Sequence, residues 1–250
     1  MNELKLNGKF KSFSLLNKEL SNEDLVNYIN KYKENIMKYD FKFYELFSSN
    51  NIEGNRMTIE ETRVVLEKGT VEARVKDIIE ALNLEKAMKK YAQLETLSLE
   101  IILDIHKIIT NLVIEEEEWS GRLRDGSVAI TNSLHRPPDF NDVPEKLKES
   151  INKFNKSDRK IEDVFRLKLE FVEIHPFYDG NGRTSRVIQN ALLSNIDMPR
   201  LIIRPQDKQH YYKALEDATV YGNRMGFIRF SLLYTLFMCV NGMEFIKEIK

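Results

Sequence analysis

The stretch His175-Pro176-Phe177-Tyr178-Asp179-Gly180-Asn181-Gly182-Arg183-Thr184-Ser185-Arg186 lies between two segments of helical periodicity. Gly180 and Gly182 permit unusual backbone angles and leave the loop amides unobstructed, which suits an anion-binding nest that feeds a helix N-terminus. Arg183 and Arg186 are three residues apart, on one face of the first turn of a helix that continues through Val187, Ile188, Ala191 and Leu192. Cations there oppose the helix dipole, each costing about 0.3–1 kcal/mol unless an anion docks nearby. Asp179 adds a hard carboxylate able to share a Mg²⁺ ion with phosphate oxygens. His175 ends the preceding helix, and an imidazole with an ordinary pKa of about 6.5 suits a general base. Taken singly, Asp179 reads as a turn residue and His175 as a helix cap; their concentration in one short stretch favours a phosphate-handling site.

Outside this stretch the bulk properties narrow the function. With 250 residues, 42% hydrophobic and 31% charged, the chain reads as one large soluble domain. A formal net charge of −1 points away from nucleic-acid and membrane partners, so any anion site must be local. The single cysteine, Cys239, lies in an apolar segment and reads as a buried, inert thiol of a reducing compartment, which makes a cytoplasmic location the expectation. Met1 to Ser14 lacks the continuous apolar core of a signal peptide. Ser231 to Val240, the longest apolar stretch, is about half the 18 or more residues a membrane span needs.

Only 10 glycines and 6 prolines interrupt the chain, which predicts a predominantly α-helical protein. Ser21 with Asp24 opens a first helix whose apolar residues continue through Leu46; Gly54 is a stop, and Thr58 with Glu61 opens the next. Further helices are expected near Val71–Tyr91, Ser98–Val113, Val143–Phe154 and Ile161–Ile174. Glu115 to Glu118 reads as a solvated helix end or loop. Ser127 to Thr131, with its β-branched residues before Pro137 and Pro138, departs from the pattern as either a surface loop or a short strand able to hold an extended peptide.

The quoted stretch resembles the Fic signature, His-Pro-Phe-x-Asp-Gly-Asn-Gly-Arg-x-x-Arg, at every specified position, and the likeness extends from about Ser48 to Met238. The resemblance implies an all-α, Fic-type helical bundle with a short β-hairpin flap, which uses ATP and Mg²⁺ to transfer AMP to a Ser, Thr or Tyr hydroxyl of a protein. By that likeness His175 is the base, Asp179 the Mg²⁺ ligand and Phe177 the anchor of the loop. Gly180, Asn181 and Gly182 form the phosphate cradle, and Arg183 and Arg186 hold the β- and γ-phosphates. Tyr211 and Tyr212 resemble the family helix that borders the nucleotide. Gly121-Arg122-Leu123-Arg124 followed by Val128, Ala129, Ile130 and Thr131 looks like the target-aligning flap, which favours the strand reading there. His106 reads as a structural residue on an apolar helix.

Ser49-x-x-x-Glu53-Gly54 resembles the family's inhibitory motif and implies the class with an N-terminal inhibitory helix (class II). In that reading Glu53 neutralises Arg186 where the γ-phosphate would lie, and ATP is held in a pose unsuited to in-line attack. The expected organisation is an N-terminal helical region, 1–92, and a catalytic core, 93–240, in one compact unit. Expected partners are a protein presenting a hydroxyl side chain, or the chain itself by auto-modification; relatives of this class often form homodimers, and in some the inhibitory glutamate also supports removal of AMP. The rival readings are a Doc-type phosphotransferase, disfavoured by Gly182, and a nucleotide-sensing module without catalysis, disfavoured by His175. A Rossmann site is disfavoured because Ser185 stands at the third glycine position.

Overall fold

The computed structural model describes residues 20–114 and 116–242. Met1 to Ser14 and Glu115 therefore lie outside the described residues. Helix α1 (Asn22–Tyr32) starts at a reciprocal capping box: Asp24 N donates to Ser21 Oγ at 3.1 Å while Ser21 N donates to the Asp24 carboxylate at 2.9 Å. The apolar pattern through Leu46 is not one helix. It breaks into α1, the single turn α2 (Glu34–Met37) and α3 (Lys42–Ile52). The physical reason is Asp40, whose carboxylate accepts from Lys42 N at 2.9 Å and restarts the helix from an Asx turn.

Gly54, at φ +91°, ends α3 as expected, and a second capping box, Thr58 with Glu61, opens α4 (Ile59–Lys68). Helix α5 (Val75–Lys90) begins four residues later than the pattern from Val71 suggested, because Arg74 is extended and binds Asp77 in the first turn at 2.7 Å. There follow α6 (Leu99–Thr110), α7 (Val143–Lys156), α8 (Ile161–Ile174), α9 (Asn181–Asn195), α10 (Lys208–Thr219) and α11 (Arg224–Asn241). The acidic run is a short 3₁₀ turn, Glu117–Trp119, with no buried residue.

Helix α9 is the axis of the fold. It packs on α8, α6, α5 and α3, and even its polar residues Asn181, Arg183, Ser185, Arg186 and Asn190 are buried. Buried polar groups need partners, and Asn190 and Arg186 of α9 find them on neighbouring elements. Asn190 Nδ2 donates to Glu45 of α3 at 2.8 Å, and Asn190 Oδ1 accepts from Leu201 N at 3.0 Å. Leu46 and Ile52 of α3 join the same apolar core as Val187, Ile188 and Leu192 of α9.

Helix α11 takes the apolar stretch Ser231 to Val240 into the core, and among the described residues no helix is long and apolar enough to cross a membrane. Cys239 is fully buried there, and burial pushes its thiol up to about 12, which keeps it protonated and inert.

The hairpin is not confirmed among the described residues. No strand occurs among the described residues, and Val128 to Thr131 runs as irregular chain with Ser133 N bonded to the Ile130 carbonyl at 3.2 Å. Val128 and Ile130 are half-buried while Ala129 and Thr131 face solvent, so the alternation that suggested a strand is present without a ladder partner to make one.

Candidate active site

The loop between α8 and α9 is held by side chains spread across the sequence. His175 caps α8 in the left-handed region, φ 49° and ψ 63°, with its N–H still on the Phe171 carbonyl at 3.0 Å, and Pro176 stops the helix. Phe177 is fully buried and stacks on His106 with ring centroids 3.6 Å apart. Asn181 then clips the loop shut: its Oδ1 accepts from Phe177 N at 3.0 Å and its Nδ2 donates to the Phe177 carbonyl at 2.8 Å. Gly180, at φ +75°, could not carry a side chain, because a Cβ would lie 3.0 Å from Thr110 Cγ2.

His106 is structural, and its role is specific. Gly121 N donates to His106 Nδ1 at 2.9 Å, which fixes the tautomer, so Nε2 donates to the Asp179 carbonyl at 3.0 Å. Burial lowers its pKa to about 4 and keeps the ring neutral. One imidazole thus ties α6 to both the glycine loop and Gly121. Arg124 makes the second tie: its Nε donates to the His175 carbonyl at 2.9 Å, its Nη2 to the Pro138 carbonyl at 2.6 Å, and its own N–H to the Pro176 carbonyl at 2.9 Å. Tyr178 Oη donates to Asp125 at 2.8 Å, and its ring lies 4.3 Å from that of Trp119.

The His175 imidazole is partly buried. Burial foremost, then Arg124 and His135, lower its pKa to about 4, against the pull of the Val172 carbonyl and Glu53. At neutral pH it is an unprotonated ring able to accept a proton. Asp179 stands at the mouth of the loop with 54% of its side chain exposed, where one oxygen accepts from Gly180 N at 2.6 Å and the other lies 3.7 Å from Arg183.

Arg186 is held from α3. Its Nε donates to Ser49 Oγ and its Nη2 to the Ser49 carbonyl, each at 2.9 Å, and Nη2 lies 2.8 Å from Glu53 Oε1. Ser49 belongs to α3 and Glu53 is its C-cap, so the motif Ser49-x-x-x-Glu53-Gly54 faces Arg186 across the core. Burial works against the Glu53 carboxylate, but Arg186 foremost and then Arg183 hold it below the usual range; Arg186 is raised in turn, despite burial, by Glu53. The Glu53 side chain keeps 33% of its surface exposed, which partly screens the pair. Its Oε1 lies 2.1 Å from where a Cβ on Gly182 would stand, so the carboxylate rests in the space that glycine leaves empty.

Two expected phosphate-binding residues are otherwise engaged. Arg183 is buried with Nη1 3.1 Å from Glu80 of α5, and Glu80 is itself held by Asn55 at 2.9 Å. Its Nε is buried without a hydrogen-bond partner, a donor that remains to be satisfied. Asn181 spends both ends of its amide on Phe177, so it shapes the cradle rather than facing its contents. Tyr211 is buried beside Arg186, and Tyr212 Oη donates to the Ile52 carbonyl, the last residue of α3, at 2.7 Å. The sequence reading missed Glu80 and Asn55, and placed Arg124 in the flap without its tie to the loop; an acid on an amphipathic helix carries no signal until the fold brings it to the site.

The chain belongs to the Fic/DOC family, whose sequence pattern matches residues 96–193, the segment that contains the loop and both of its ties. A protein adenylyltransferase Fic from Nematostella vectensis is 34% identical over 203 residues, covering 75% of this chain and 45% of that protein. One from Drosophila virilis is 32% identical over 203 residues, covering 77% and 41%. The chain therefore spans less than half the length of these curated relatives. Among solved structures, a fragment of Fic-1 from C. elegans superposes with a TM-score of 0.79 at 20% identity, covering 96% of this chain and 76% of that one. A Fic family protein from Desulfovibrio desulfuricans does so with a TM-score of 0.75 at 20% identity, covering 89% and 74%. The all-α Fic-like fold is thus shared across nearly the whole described chain.

Proposed function

We propose that this chain is a protein adenylyltransferase, moving AMP from ATP to a hydroxyl side chain of a target protein, and that Glu53 keeps its resting activity low. The observation that carries the reading is the Glu53–Arg186 pair, at 2.8 Å over Gly182: a carboxylate occupies an arginine-lined, glycine-floored cradle of the kind a phosphate uses. The buried, unsatisfied Nε of Arg183 and the exposed Asp179 fit the same ligand.

The target hydroxyl attacks the α-phosphorus in line, and neutral His175 takes its proton while the bond to the departing pyrophosphate breaks. Arg186, freed from Glu53, stabilises the charge that builds on the leaving group, and Arg183 does the same from the buried side of α9. Asp179, exposed at the mouth of the loop, would hold a Mg²⁺ ion, which would supply charge neutralisation at the phosphates. Asn181, His106 and Arg124 keep the loop in one shape through its carbonyls and amides, and positioning supplies much of the rate. Val128 to Thr131 offers an unladdered chain that an extended target segment would complete as a strand. A homodimer and auto-modification belong to the same reading.

Incubation with α-labelled ATP, Mg²⁺ and candidate proteins tests it. Label transfer should rise in Glu53→Gly and vanish in His175→Ala; identical labelling in both variants removes the proposal. Transfer of γ-label instead of α-label would make the chain a phosphotransferase.

A further inference from the structure

Lys168 has no part in the reaction drawn above, yet it sits against the residues that do. It lies on α8, 3% exposed. A buried ammonium is unfavourable by several kcal/mol unless it is paired, and an apolar side chain of similar volume would pack there without that penalty. Lys168 has three N–H donors. It places one on Ser185 Oγ at 2.7 Å, and Ser185 Oγ donates onward to the Gly182 carbonyl at 2.8 Å. A short chain thus runs from the ammonium to the very glycine over which Glu53 rests.

The charged groups acting on Lys168 are Arg186 of α9, which repels it, and Glu53 at the end of α3, which attracts it. Tyr211 of α10 presents its ring 5.6 Å from Nζ. Burial first, then Arg186, push the Lys168 pKa well below that of an ordinary lysine, against Glu53. The arrangement is poor as a stabilising device and well suited to an anion that brings more than one negative charge.

Resting on the adenylyltransferase reading, we propose that Lys168 is a third cation of the polyphosphate site, coupled to Gly182 through Ser185 and acting on the bound phosphates from behind the loop. When a polyphosphate replaces the single carboxylate of Glu53, the negative charge facing Lys168 increases and the ammonium form is favoured. Binding then carries proton uptake, and affinity falls as pH rises.

Calorimetry on the Glu53→Gly protein, in buffers of different ionisation heat at about pH 8, reads both quantities. Titration uses magnesium ATP and, separately, inorganic tripolyphosphate. We expect proton uptake with each; adding Lys168→Met should abolish it and weaken binding about tenfold, the scale of one charge at moderate distance in a protein of effective dielectric near 20. Lys168→Gln keeps the bond to Ser185 without the charge and gives the same reading should the Met variant fail to fold. Proton uptake that persists in the Lys168 variants overturns the proposal, whatever happens to affinity. Tripolyphosphate binding with Lys168-dependent uptake supports it even if no AMP transfer is found, whereas a Glu53→Gly protein that binds neither probe overturns both readings.

Discussion

Replacing Glu53 by glutamine separates charge from bulk at the cradle. Glu53 Oε1 lies 2.8 Å from Arg186 Nη2, and an amide oxygen in the same place keeps the hydrogen bond while losing the charge. The amide still bonds a charged guanidinium, so what is lost is the attraction between two opposite charges, roughly 1–4 kcal/mol between the limits of bulk water and an effective dielectric near 20. One third of the Glu53 side chain is exposed, 33%, so solvent screening selects the lower end, about 1 kcal/mol. Because ATP must displace this contact, Glu53→Gln should bind magnesium ATP about five-fold more tightly than the native chain. Glu53→Gly, which removes the whole contact of about 2 kcal/mol, should gain roughly thirty-fold. Calorimetric titration of the three proteins at one salt concentration measures the series. If Glu53→Gln matches the native affinity while Glu53→Gly is released, occupation of the space above Gly182, rather than ion pairing with Arg186, is what excludes the nucleotide, and the electrostatic reasoning is refuted.

Other expectations follow from the same geometry. Asn181→Ala leaves both the N–H and the carbonyl of buried Phe177 without partners; urea unfolding should show a loss of about 2–4 kcal/mol, at one or two per orphaned group. Tyr212→Phe removes the hydroxyl that holds the Ile52 carbonyl; a local loss of about 0.5–1.5 kcal/mol should appear as faster amide exchange in the last turn of α3, with the global unfolding midpoint little changed. On the proposed reading, a His175 lowered to about 4 acts as a neutral base throughout the physiological range, so kcat/KM should stay flat as pH falls from neutrality and drop only as the ring protonates near that value; an acid limb centred on the ordinary histidine pKa would show that burial does not govern this ring.

Much of this was legible because it is local. Capping boxes at Ser21 and Thr58, the stop at Gly54, and the helix Ile161–Ile174 are set by side chains within four residues of each other, and they appear as expected. The shape of the glycine loop is local in the same sense, left-handed at His175 and Gly180 and closed by Asn181 on Phe177. What distance hides is the second partner. Helix α5 brings Glu80 to within 3.1 Å of Arg183, a partner from a distant part of the chain that no local spacing reveals. The flap is a different case: alternation at Val128 to Thr131 describes which sides are covered, but a strand also needs a second chain to bond with, and none is supplied by the described residues.

Glu53 is mounted on a pillar of the building, not on a door. Helix α3 is bolted to α9 by Glu45 and Asn190 and shares its oil with Leu46 and Ile52, so swinging the whole segment aside would mean tearing the domain open. On the proposed reading, releasing Glu53 from Arg186 takes only a small event, a swing of one side chain or fraying of one terminal turn at Ile52 and Gly54. An activator would need to touch only that edge.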